Sequence, residues 1–296
     1  MSFSSQIKEE LCSVESKPCC LKAEAFGMLL FGREFSASRI SMLTDLECVA
    51  EKYRDSVSAA TGITPSIKLS GSGKYTLSVE GAQQRKKVLS EFGYSGNEVA
   101  LRINRANLAD ECCSSAFLRG AFLSCGCVTS PQREYHLEFT VSRIKLCRDL
   151  QTLIAESGLM PKSVSRSNNC AVYFKDSEEI EDLLGAMGAN NSVLELMSIK
   201  IYKDVRNTVN RKTNFESANL DRTFNAAMVQ TDAIMSIANT RGLDTLPEQL
   251  RRIAQLRLDN PELSLTELGR MMSPPMSRSS VNRRLAKLEE IAKNQR

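Results

Sequence analysis

The sequence lacks most of the usual signs of a metal or membrane protein. It has no Cys-x-x-Cys pair and a single histidine, His136. The paired-ligand spacing of zinc ribbons and fingers is therefore missing. Long apolar runs are missing too. The longest, around residues 28–31, falls far short of the roughly 20 residues that span a bilayer. The opening MSFSSQIKEEL carries acids and no basic-then-apolar layout, so no signal peptide is expected. A cytoplasmic protein without membrane contact is the expectation.

A strong charge of one sign is also lacking. The net charge is +4 over 296 residues, and residues 1–199 carry 22 Lys+Arg against 24 Asp+Glu. Residues 240–296 carry 11 against 7, so the small basic excess sits at the C-terminus. Phosphate neutralisation supplies most non-specific DNA affinity, which points to the tail before the body. The chain does have ten cysteines. They occur as Cys19-Cys20, Cys112-Cys113, Cys125-x-Cys127 and singly at Cys12, Cys48, Cys147 and Cys170. Reduced, mostly buried thiols account for them better than a metal or redox centre built from the adjacent pairs. No catalytic residue, metal ligand or cofactor is assigned.

An internal repeat organises the chain. CCSSAFLRGAFLSCGCV at residues 112–128 echoes CCLKAEAFGMLLFGR at residues 19–33. Cys20, Ala23, Gly27 and Leu30 fall on Cys113, Ala116, Gly120 and Leu123, at a constant offset of 93. Such an offset means that one structural unit was duplicated. Both stretches read as helices whose small residues recur every fourth position, on one face. A glycine in mid-helix costs about 1 kcal/mol against alanine. These glycines therefore indicate two helices packed closely across a pseudo-twofold axis.

The following chain repeats as well. After the first helix, residues 35–43 read as extended. After the second, Tyr135, Leu137, Phe139 and Val141 alternate with His136, Glu138, Thr140 and Ser142, the period of a half-buried strand. His136 lies on its polar face. Helical stretches at 46–61 and 144–157 stop at Gly62 and Gly158. Paired strands at 67–69 and 75–79, then 163–166 and 170–175, flank the turn residues 70–73 and 167–169. Closing helices cover 83–92 and 177–187. The predicted unit is αββαββα, twice, in an α+β domain at residues 1–202 with repeats at 19–95 and 112–190.

This order resembles the LAGLIDADG homing endonuclease fold. The resemblance implies that two core helices meet at the pseudo-dyad and each ends in a Mg²⁺-holding carboxylate. Laying that motif on residues 118–126 places Cys125 at the acid position, and residues 25–33 place Gly32 there. A thiol is too soft for Mg²⁺ and glycine has no ligand. Glu24, Glu34 and Glu111 are near in sequence but off the motif. The scaffold is expected without the nuclease.

Residues 203–240 read as a linker with a helical second half. Residues 203–219 serve either as a solvated connection or, through Arg206, Arg211 and Lys212 with their interleaved asparagines, as phosphate contacts. Residues 241–296 read as three helices, at 246–258, 264–272 and 277–292. Ser264 and Glu267 form a capping box for the second. The third turns Val281, Leu285 and Leu288 inward and Ser279 and Arg283 outward. This is a helix-turn-helix pattern and resembles region 4 of bacterial sigma factors. Ser279, Asn282 and Arg283 are expected nearest base edges. Ser277 at the helix start suits phosphate. Arg278, Arg284 and Lys287 are expected on phosphates.

The whole chain resembles the WhiA regulators (the DUF199 group). The resemblance is carried by SFSSQIKEEL, by FLRGAFLSCG at 117–126, by DVRNTVNR at 204–211, by ANLDRT at 218–223 and by the tail LTELGRMMSPPMSRSSVNRRL. Gly32-Arg33 departs from the family pattern, which has a polar residue and then glycine there. The family implies a degenerate LAGLIDADG-like domain tethered to a helix-turn-helix. It implies a nucleoid-associated transcription regulator that binds double-stranded promoter DNA and is tied to sporulation or cell division. A protein partner of the duplicated domain is a further expectation. Two rival readings are an interaction protein that docks division or sigma-like partners with incidental DNA affinity, and a metal-dependent endonuclease using off-motif acids.

Overall fold

A computed structural model describes residues 2–165 and 169–294. These group into two compact units, Met1–Lys203 and Asp204–Arg296. Part of the second turn of the repeat (Arg166, Ser167 and Asn168) lies outside the described residues.

The first unit opens with α1 (Phe3–Cys12), capped by Ser2 and burying Phe3, Ile7 and Leu11 at every fourth position. The first repeat then runs α2 (Pro18–Leu30), β1 (Glu34–Phe35), β2 (Ile40–Thr44), α3 (Glu47–Thr61), β3 (Ser66–Leu69), β4 (Tyr75–Ser78) and α4 (Ala82–Glu91). The second runs α5 (Glu111–Cys125), β5 (Gly126–Val128), β6 (Leu137–Val141), α6 (Ile144–Ala155), β7 (Lys162–Ser165), β8 (Cys170–Phe174) and α7 (Ser177–Met187). The sheets have matching orders, β1-β2-β4-β3 and β5-β6-β8-β7, with every pairing antiparallel. The αββαββα duplication is thus present in full. Residues 126–128 are strand, not the end of the helix: Gly126 has extended dihedrals at the C-cap of α5 and pairs with Phe139.

Helices α2 and α5 are the centre of this unit. Both are buried on nearly every side, because each meets its partner helix on one face and sheet on others. At the crossing the backbones touch. A Cβ on Gly27 would lie 2.9 Å from Ala121 N, and one on Gly120 would lie 3.0 Å from Met28 N and run into the Glu24 carbonyl oxygen. Ser124, the next small residue on that face, donates its hydroxyl to Met28 O at 3.0 Å. The glycines are there because any side chain would hold the axes apart. Phe26, Phe31 and Phe117 fill the space beside them, with ring centroids 5.2–5.8 Å apart.

The expectation of reduced, mostly buried cysteines needs correction. Cys147 on α6 and Cys170 on β8 are joined as a disulfide, with Cα atoms 6.2 Å apart. Cys147, on the inward face of α6, and Cys170, at the start of β8, are both buried in the core of the first unit. Of the other eight, only Cys20 and Cys113 are buried. His136 is not on a strand face but immediately precedes β6, with Nε2 3.3 Å from Glu138 Oε2.

The segment read as a linker is helix throughout. It belongs to α8 (Asn190–Thr240), 51 residues without glycine or proline. Arg206, Arg211 and Lys212 are exposed on it. In the second unit, the end of α8 packs with α9 (Glu248–Asp259), α10 (Leu265–Met271) and α11 (Arg278–Lys293). Ile234 and Ile237 of α8 join Leu250, Ile253, Leu268, Val281, Leu285 and Leu288 in one core. No helix of the described residues is long and apolar enough to cross a membrane.

Candidate nucleic-acid interface

Local sequence chemistry sets the geometry of the second unit. Ser264 accepts from Glu267 N, and the Glu267 carboxylate accepts from Ser264 N at 2.9 Å, so both halves of the capping box are formed. These bonds hold the exposed Glu267 carboxyl below the usual carboxylate range. At the other end of α10, Gly269 carries no Cβ, which would collide with the Met276 carbonyl. Its own carbonyl accepts from Met276 N at 2.8 Å. That bond closes the turn between α10 and α11.

Ser277 then starts α11, accepting from Ser280 N at 3.3 Å. With Val281, Leu285 and Leu288 buried, the opposite face is left to Arg278, Ser279, Asn282, Arg283 and Lys287, all exposed. Ser279, Asn282 and Arg283 are at i, i+3 and i+4, one face of one helix. Among the described residues, no ion pair or hydrogen bond takes up the side-chain nitrogens of Arg278, Asn282, Arg283 or Lys287. Arg284 differs. It is half-buried, and its guanidinium donates to Gln249 Oε1 at 2.7 Å and to Ser280 O at 3.3 Å. It ties α11 to α9, a structural engagement where the sequence suggests a phosphate contact.

A second basic feature was missed altogether. A groove of about 550 Å³ runs between α8, α10 and α11, and its lining includes Asn219, Arg222, Gln230, Arg257, Arg278 and Asn282. Arg257 is buried and donates Nη1 to Leu263 O at 2.7 Å. Burial lowers its guanidinium from the usual value, against the pull of Glu262. Arg222 and Arg278 face the groove from opposite helices. The corresponding sequence signal is ANLDRT at residues 218–223. Helical spacing of Asn219, Arg222 and Ala226 would have placed them on one face. Arg206, Arg211 and Lys212 are not among the lining residues.

In the first unit, a cavity of about 360 Å³ sits at the C-terminal ends of α2 and α5. Its lining includes Gly32, Arg33, Ser124, Cys125 and Arg143, and among the described residues no carboxylate. Burial lowers the Arg143 guanidinium from its usual value, opposed by Glu34. Glu34 itself is 3.8 Å from Arg39. Glu24 is fully buried and paired with Arg119. Glu111 is the first residue of α5, at the end opposite Cys125. The three off-motif acids therefore do not converge.

Two family models match the chain. The WhiA LAGLIDADG-like domain matches residues 114–206, and the WhiA C-terminal HTH domain matches residues 209–292. The probable cell division protein WhiA of Ruminiclostridium cellulolyticum is 36% identical over 304 residues, covering 99% of this chain and 97% of the relative. That of Thermoanaerobacter pseudethanolicus is 36% identical over 312 residues, covering 99% and 98%. The crystal structure of full-length DUF199/WhiA from Thermotoga maritima superposes with a TM-score of 0.62 at 26% identity, covering 99% of each chain.

Proposed function

The chain belongs to the WhiA family, and from that premise we propose that it is a sequence-specific DNA-binding regulator of transcription. Its setting is cell division, as its relatives' names suggest, and sporulation, with promoter DNA as ligand and the nucleoid as location. The carrying observation is the solvent face of α11, where Ser279, Asn282 and Arg283 are exposed and Arg283 has no ion pair among the described residues. Arginine and asparagine match guanine and adenine edges in the major groove. The same helix starts at a capped N-terminus beside Arg278, an arrangement that suits a phosphate.

Arg222 extends this reading. It faces Arg278 across the groove, so one backbone phosphate would meet two guanidiniums from different helices. Arg206, Arg211 and Lys212 add non-specific phosphate contacts further along α8. Nuclease activity is not part of the proposal, because among the described residues no carboxylate lines the cavity at the ends of α2 and α5 to hold a hard cation.

The test compares the full chain with residues 1–203 on genomic DNA fragments at physiological salt, followed by footprinting. Discrete footprints for the full chain alone, lost in Arg283→Ala, support the reading. Equal binding by residues 1–203 would transfer DNA recognition to the duplicated unit. Cleavage of supercoiled DNA in Mg²⁺ or Mn²⁺ would reinstate an enzyme.

A further inference from the structure

Cys19 and Cys20 are the second and third residues of α2, and Cys112 and Cys113 are the second and third of α5. The pseudo-twofold axis brings the two pairs together. Cys19 Sγ is 3.9 Å from Cys20 Sγ and 4.0 Å from Cys112 Sγ. All four sulfurs lie within 4.8 Å of one another. A tetrahedral centre with metal–sulfur bonds of about 2.3 Å has sulfur–sulfur edges of roughly 3.8 Å. The four thiols are thus close to that arrangement. A multi-iron cluster would spread its ligand sulfurs further.

The electrostatics of the place suit thiolates. Two helices point their N-termini at it, and neither N-cap, Lys17 nor Asp110, uses its side chain to satisfy a first-turn N–H. Free N–H groups and the positive ends of two helix dipoles stabilise negative sulfur. Burial raises the Cys19 thiol, but hydrogen bonds from Cys20, Cys112 and Cys113 outweigh it and leave the group below the usual thiol range. Cys20 is pushed up to about 12 by desolvation and by its sulfur neighbours.

We propose that Cys19, Cys20, Cys112 and Cys113 bind one zinc ion as four thiolates on the pseudo-twofold axis. Four Zn–S bonds form, the ion's water ligands leave, and the thiol protons pass to solvent with no change of redox state. Four soft sulfur ligands in tetrahedral array select zinc over the hard cations. The absence of Cys-x-x-Cys is no obstacle, because the spacing that matters is the 93-residue offset. Each repeat supplies half the ligands, so the ion staples the repeats where their core helices begin. This inference does not rest on DNA binding and fails or stands separately.

The test uses the full chain, reduced with a phosphine and stripped of metal, titrated with Co²⁺ alone as the probe. The expected result is one ion per chain, sulfur-to-cobalt charge-transfer absorption with intense ligand-field bands, and displacement by Zn²⁺ with release of protons. X-ray absorption of the zinc form should give four sulfur neighbours at about 2.3 Å. Cys19→Ser with Cys112→Ser should abolish the spectrum, whereas Cys127→Ser, an exposed thiol outside the cluster, should leave it intact. No cobalt uptake by the unmodified chain, or fewer than four sulfur neighbours, overturns the proposal whether or not the variants fold. An unchanged spectrum in the double variant overturns it equally.

Discussion

Arg119 Nη2 lies 3.1 Å from Glu24 Oε2, a buried ion pair between the core helices of the two repeats. Ser16 donates to the same carboxylate oxygen at 3.0 Å, and Arg119 Nη1 donates to Met187 O at 3.0 Å. Among the described residues, Glu24 Oε1 and Arg119 Nε have no hydrogen-bond partner, although Lys52 Nζ stands 3.7 Å from Glu24 Oε1. Removing one member of a buried pair strands the other charge and costs about 3–5 kcal/mol. Arg119→Met should therefore destabilise the first unit by that amount in urea. Adding Glu24→Met should recover part of the loss. A double variant no more stable than the single one would show that packing, not charge, is what Arg119 supplies.

The glycines of the chain should split into two classes on alanine substitution. Gly120→Ala should fail to give a folded first unit, because its Cβ meets the Glu24 backbone. Gly185→Ala, in α7 with nothing within 4 Å, should stabilise by roughly 0.5–1 kcal/mol. Thermal melts of the two variants check both directions.

Binding variants should separate by mechanism. Arg283→Ala should cost about 1–3 kcal/mol on the preferred site and flatten discrimination there. Arg222→Ala should weaken binding to all sequences alike and reduce the salt slope by about 1. Titrations on specific and scrambled duplexes between low and physiological salt measure both. Identical behaviour of the two variants would contradict the assignment of base and phosphate roles.

Acid sensitivity should trace partly to Asp149. Burial raises its carboxyl, but bonds from Arg102, at 2.7 Å twice, and from Ile103 N prevail and depress it below the usual range. A depressed folded value means that the contribution is complete above the unfolded carboxylate value of about 3.9 and is lost as pH falls through the folded one. Asp149→Asn should thus lower stability at neutral pH by roughly 2 kcal/mol. The gap to the parent chain should narrow at strongly acid pH in urea melts.

Much of this architecture could be read before any coordinates. The duplication was legible because Gly27 and Gly120 sit at one offset, and the period-2 strand because Leu137, Phe139 and Val141 all turn into the core. The capping box at Ser264 and the inward face of α11 were legible because both depend on neighbours within one turn. What was not legible involves partners remote in sequence. Arg284 looked like a surface cation until Gln249, on another helix, claimed its guanidinium. Residues 203–219 read as a solvated linker because their apolar residues are sparse, and they contain no glycine or proline to break the helix they belong to. Cys147 and Cys170 gave no spacing cue, since the sheet and not the chain sets their separation. Arg222 carries no local sign of its place, because the groove exists only where three helices meet.

The Gly27–Gly120 crossing also constrains how this chain can diverge. Two packed side chains usually drift together, one shrinking as the other grows. Here the two contacts pair each glycine with the other helix's backbone, and no residue is smaller than glycine. A gain in volume at either position has no compensating loss elsewhere in the pair. The two halves of an ancient duplication are free to differ in strands, turns and surface, but at these two positions each copy remains bound to the ancestral choice by the other.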